Sequence, residues 1–154
     1  MCFVGGEKMN GLRNKEKLVN AVEKIWKLDI DRDIKKKFMD ELIWHIGTVD
    51  GQIGLVYKKY DLKHRSEGVV RLGIGDTKKL HQEHVIPRKI LKNKLVDAKN
   101  IKEINKILKK IKVCVVTREE HKRLELTKKF GWEKYKSAGI KVFDVSGKEP
   151  KRLI

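Results

Sequence analysis

Apolar residues recur along this chain with two different periods, and that change of period most tightly limits what it can fold into. From Asn14 onward, Leu18, Val22, Ile25 and Trp26 fall on one stripe of an amphipathic helix. Ile34, Phe38, Leu42 and Ile46 then repeat every four residues, and Gly47 offers a stop. Residues 14–47 therefore predict a helical hairpin, with lysines on its outer faces. Beyond Gly51 the period shortens. Ile53, Leu55 and Tyr57 alternate with smaller or polar residues, and Val69, Val70, Leu72 and Ile74 form a second candidate strand closed by Gly75-Asp76. His81 to Val85 is a third, ended by Pro87, which cannot donate to a ladder. Helical spacing returns over Arg88–Leu95 and Asn100–Lys110. Asn100 is placed to cap the second of these, with Glu103 reaching back. Val113–Val116 predicts a strand, and Thr117-Arg118-Glu119-Glu120 a capping box opening a helix that runs to about Lys129, before Phe130-Gly131. Ile140–Val145 predicts a last strand. The fold class expected is α+β: an N-terminal helical hairpin plus a small antiparallel sheet, in a single domain over 1–154.

Charge narrows the partner. Lys and Arg number 38 against 21 Asp and Glu, a net charge of +17 in 154 residues. Such an excess favours a polyanion, because each phosphate neutralised releases condensed counterions. Nucleic acid, double-stranded DNA in the first place, is the expected partner, although membrane surfaces and acidic proteins are polyanions too and charge alone leaves them open. Cys2 and Cys114 form no CxxC pair, which argues against a disulfide framework and a zinc ribbon. Met1–Gly6 is too short for a secretory core, and no run reaches the ~18 apolar residues of a membrane span. The sequence thus predicts an intracellular protein without membrane attachment. A dimer is compatible with all of this.

Chemistry concentrates in His81-Gln82-Glu83-His84-Val85-Ile86-Pro87-Arg88, where two histidines, a carboxylate and a proline fall within eight residues at a strand end. Some thirty residues later a strand passes directly into a capped helix with His121 in its first turn. Over residues 80–130, Glu83-His84-Val85-Ile86-Pro87 and Val113 to Lys122 resemble the two halves of an HNH (ββα-metal, His-Me finger) endonuclease site, as a divergent member. The resemblance implies His84 as the general base that activates water. It implies Glu83 and His121 as ligands of one divalent ion, Mg2+ in the first place with Mn2+ or Zn2+ as alternatives. Arg88 and Lys122 would steady phosphate oxygens. The family's middle residue falls near Lys112, which cannot bind a metal, so Asn105 and Asn100 are the available substitutes and His81 a further ligand. Adjacent residues on a regular strand point to opposite faces, so Glu83 and His84 converge only if the strand bends near Pro87.

The implied activity is metal-dependent hydrolysis of DNA, as in phage, mobile-element or restriction nucleases. The alternatives are a nucleic-acid-binding protein without catalysis, or an inhibitor whose basic face meets an acidic protein. Of the remaining residues, Glu120 reads as half of the capping box, His45 and His64 as structural, and Cys114 as a small core residue. Trp132 and Tyr135 read as packing residues at helical spacing.

Overall fold

A computed structural model gives the fold of residues 13–54 and 58–154. The expectations placed on Met1–Gly6, Cys2, Leu55 and Tyr57 lie outside the described residues. The rest divides into two compact units, one of residues 13–50 and 87–111, the other of 51–54, 58–86 and 112–154.

The first unit is helical. α1 (Lys15–Lys27) starts where Asn14 accepts a hydrogen bond from the Lys17 amide, and it buries Leu18 and Val22, as the spacing predicts. α2 spans Arg32–Gly51 and departs from expectation twice. It runs through Gly47, and Ile34 and Phe38 are about half exposed while Met39, Ile43 and Ile46 are buried. The four-residue repeat drifts around a helix of 3.6 residues per turn, so the buried stripe takes a different phase. α4 (Arg88–Val96) and α5 (Ile101–Leu108) complete the unit. Asn100 caps α5 as predicted, but the Glu103 carboxylate accepts from the Lys99 amide. The long connection between the two strands of the candidate motif is thus a helix pair belonging to the other unit. Trp26 donates its indole N–H to the Ala98 carbonyl at 3.0 Å, fastening α1 to the loop between α4 and α5.

The second unit is built on a five-stranded sheet of order β2-β3-β1-β4-β5. Its strands are β1 (His64–Ser66), β2 (Leu80–His84), β3 (Val113–Thr117), β4 (Val142–Asp144) and β5 (Lys151–Arg152). β1 runs parallel to β3 and the other pairings are antiparallel, so the sheet is mixed where an antiparallel one was expected. The strand predicted at Val69–Ile74 is instead helix α3 (Glu67–Leu72), because the Ser66 hydroxyl caps it by accepting from the Val69 amide. Local capping outweighs the β preference of two valines. α6 (Arg118–Glu125) and α7 (Trp132–Ser137) follow β3. α6 ends near Glu125, one turn before the expected Lys129.

The five residues of β2 pair in unbroken register with β3, from Leu80 opposite Thr117 to His84 opposite Val113. β3 is buried from Val113 to Val116 and separates two apolar clusters. Leu62, Val69, Leu80, Val113 and Val115 pack on one side. Cys114, Val116, Leu124 and Tyr135 pack on the other with Val85, Ile140 and Val142. Burial pushes the Cys114 thiol well above its usual range, and the nearby Glu120 carboxylate adds to this. Cys114 is therefore expected to stay unlabelled by iodoacetamide at pH 8 in the folded protein and to label fully in denaturant, as read by peptide mass spectrometry. Rapid labelling of the native chain would contradict this packing.

Candidate metal centre

The alternation of β2 decides which side chains can meet. Leu80, Gln82 and His84 are buried on one face, while His81 and Glu83 are partly exposed on the other. Glu83 pairs with Cys114 on β3, which ends three residues later at Thr117, opposite Leu80, and the capping box there fixes the direction of α6. The Thr117 side chain accepts from the Glu120 amide at 3.1 Å, and the Glu120 carboxylate accepts from the Thr117 amide at 2.8 Å. One turn into that helix stands His121.

The outcome is a cluster of His81, Glu83 and His121, each able to offer one ligand atom, all within 4.8 Å of one another. Glu83 divides its two oxygens. Oε2 lies 2.7 Å from His121 Nδ1 and 3.7 Å from His81 Nε2, while Oε1 accepts from Lys134 Nζ at 2.6 Å. The two imidazoles stack with ring centres 3.7 Å apart. Glu125, one turn beyond His121, places Oε1 3.3 Å from His121 Nε2. Burial lowers the pKa of His81, and the neighbouring His121 lowers it further, so its neutral form persists to lower pH than an ordinary histidine's. A neutral imidazole is the form that binds a metal.

Of the expected site residues, Glu83, His121 and His81 come together. His84 does not join them. β2 stays regular through His84, so the bend that would let Glu83 and His84 converge is absent. Asn100 and Asn105 belong to the helical unit, the first as a helix cap and the second on the exposed side of α5. Arg88 belongs there too, paired with Asp40 at 3.2 Å and lying over the Trp44 ring. Lys122 is exposed on α6 beside His121. His64 is buried with its ring edge-on to Trp132, and Tyr135 is core, in keeping with the structural roles expected of them. Sequence reasoning missed Lys134, which only the approach of α7 brings to Glu83. It missed Glu125 as well, although its spacing from His121 marks an adjacent helical pair.

No protein-family model, curated protein or solved structure matches this chain. Among the described residues, no helix is long and apolar enough to cross a membrane.

Proposed function

We propose that His81, Glu83 and His121 hold one divalent cation and that the sheet unit hydrolyses phosphodiester bonds of DNA there. The observation that carries this reading is the convergence of three ligand atoms from β2 and α6 within 4.8 Å. The order β2, β3, α6 supports the divergent HNH-like resemblance. Two imidazoles and one carboxylate form the donor set of many three-ligand hydrolytic centres, which keep a position open for water or substrate. Such a set suits Zn2+ or Mn2+ better than Mg2+, which prefers oxygen ligands.

When bound, the ion supplies Lewis-acid stabilisation of charge developing on the phosphate and makes the attacking water more acidic. The chain's own groups do the rest. Lys134 anchors one oxygen of Glu83 and leaves the other facing the imidazoles. Arg118 and Lys122 are one turn apart on α6 and present cations on the side of that helix next to His121, suited to non-bridging phosphate oxygens. The net charge of +17 favours the polyanion. His84, on the opposite side of β2, takes no part in this scheme.

A binding protein without catalysis is the second reading, favoured by one observation: Lys134 and His121 engage both oxygens of Glu83. Supercoiled plasmid separates the two. The first reading expects nicking that EDTA abolishes, that Mn2+ or Zn2+ restores, and that His121→Ala reduces at least about a hundredfold, equivalent to about 2.7 kcal/mol of barrier. Intact plasmid under every metal, with undiminished DNA binding by His121→Ala, selects the second.

A further inference from the structure

A basic groove shares Arg118 with the hydrolytic scheme and otherwise lies outside it. It has a volume of about 520 Å³ and is lined by Lys58, Lys59, Tyr60, Lys78 and Arg118, with Ile74 on its apolar side. That volume lies in the range of sites that take a nucleotide-sized ligand. A second cavity of about 350 Å³ shares Lys78 and Arg118 and adds Lys79 and one acid, Glu119. Asp61, an acid in the first cavity, is engaged by Arg65 at 2.8 Å.

An aromatic ring sits among these cations. Tyr60 and Ile74 are partly buried, packing on the Leu62–Leu80–Val115 cluster, and the Lys59 ammonium lies 5.2 Å from the centre of the Tyr60 ring. The segment is tied to the strand that bears the metal ligands, because the Gln82 side-chain amide on β2 donates to the Lys59 carbonyl. Arg118 links the groove to the cluster. It lines both cavities, donates to the Lys78 carbonyl, and is close enough to His81 for its charge to act on that imidazole.

We propose that this groove binds a single-stranded stretch of nucleic acid, with phosphates on Lys58, Lys59, Lys78 and Arg118 and one base against Tyr60. The proposal rests on the nucleic-acid reading above and adds the strandedness of the substrate and the residues that grip it. Cations tracking a backbone together with an aromatic platform form the usual arrangement for sequence-tolerant binding of single strands. A base paired inside a duplex presents no free face to Tyr60. The duplex is therefore engaged where it is open, or the chain prefers single strands outright.

The test is the affinity of a fluorescein-labelled 12-nucleotide single-stranded DNA, measured by anisotropy in EDTA so that no metal contributes. Tyr60→Ala is expected to weaken binding about fivefold or more, and Tyr60→Phe to bind as the wild type does. Lys78→Glu, an exposed position that leaves the core untouched, is expected to weaken binding and to lower the salt slope by about 0.7 or more. Calorimetric Zn2+ binding should be unchanged in all three, whereas His121→Ala should lose Zn2+ and keep the oligonucleotide. Wild-type affinity in both Tyr60→Ala and Lys78→Glu overturns the groove. So does an effect of Lys78→Glu alone, or failure of the wild type to bind the oligonucleotide. Metal-dependent plasmid cleavage accompanied by such a result leaves the hydrolytic reading standing. Groove-dependent binding with no metal-dependent cleavage leaves only the groove.

Discussion

Glu83→Gln is expected to abolish metal binding and to destabilise the sheet unit at the same time. The substitution keeps the shape of the side chain and removes its charge. The ion loses its one anionic ligand, so calorimetric titration with Zn2+ or Mn2+ should show at least about a hundredfold weaker binding, about 2.7 kcal/mol. Lys134 loses the carboxylate that accepts from its ammonium at 2.6 Å. Its side chain is 9% exposed and that of Glu83 14%. Breaking a fully buried pair costs about 3–5 kcal/mol, and contact with water at this one reduces the expected loss to about 2–3 kcal/mol in urea unfolding. Lys134→Met separates the two effects. It removes a positive charge beside the ion, so metal affinity should hold or rise while the pair is still broken. If Glu83→Gln binds the ion as tightly as the wild type, Glu83 is a structural partner of Lys134 and no ligand.

The second large effect belongs to Glu120, which is 6% exposed and holds the starts of two helices together. Its Oε2 accepts from the Ser66 hydroxyl at 2.5 Å and the Thr117 amide at 2.8 Å, and its Oε1 accepts from the Gly68 amide at 3.2 Å. The carboxylate thus serves the N-termini of α3 and α6, where negative charge is favoured. Glu120→Ala leaves several buried donors unmatched, at about 1–3 kcal/mol each, and a loss of about 3–4 kcal/mol in all is expected. With a urea m-value of about 1.5 kcal/mol/M the midpoint should fall by about 2 M or more. Glu120→Gln retains one acceptor oxygen and should lose about half as much. Gly68→Ala should act in the same direction, since a Cβ there would come within 2.6 Å of Glu120 Oε1. A shift under about 0.5 M for Glu120→Ala would show that the carboxylate does no more than cap α6. α6 carries His121, so this buried contact also sets where that imidazole stands.

Elements whose signal is local were legible in the sequence. β2, β3 and the cap of α6 follow from the candidate strand His81–Val85 ended by Pro87, the β-branched run at Val113 and the Thr117–Glu120 spacing. α1 follows from its apolar stripe and α5 from its asparagine cap. The failures have tertiary causes. Val69 and Val70 look like a strand until Ser66 caps them into α3, and the phase of α2 is set by which stripe its neighbours cover. That Glu83 and His121 come together was legible. Choosing His84 as their companion gave weight to adjacency in a motif, whereas a regular strand brings together i and i+2, which is His81 with Glu83. That periodicity was readable. The approach of Lys134 was not, since α7 reaches β2 only through the packing of Tyr135, Ile140 and Val142 against Cys114 and Val116.

Binding of one divalent ion by His81, Glu83 and His121, as proposed, is decided by anomalous diffraction from crystals of the protein grown with Zn2+ or Mn2+. One strong anomalous peak is expected about 2.0–2.3 Å from an imidazole nitrogen of His81, one of His121 and a carboxylate oxygen of Glu83. A crystal in which Glu83 keeps its bonds to Lys134 and His121, with no peak among the three side chains at millimolar metal, would contradict it.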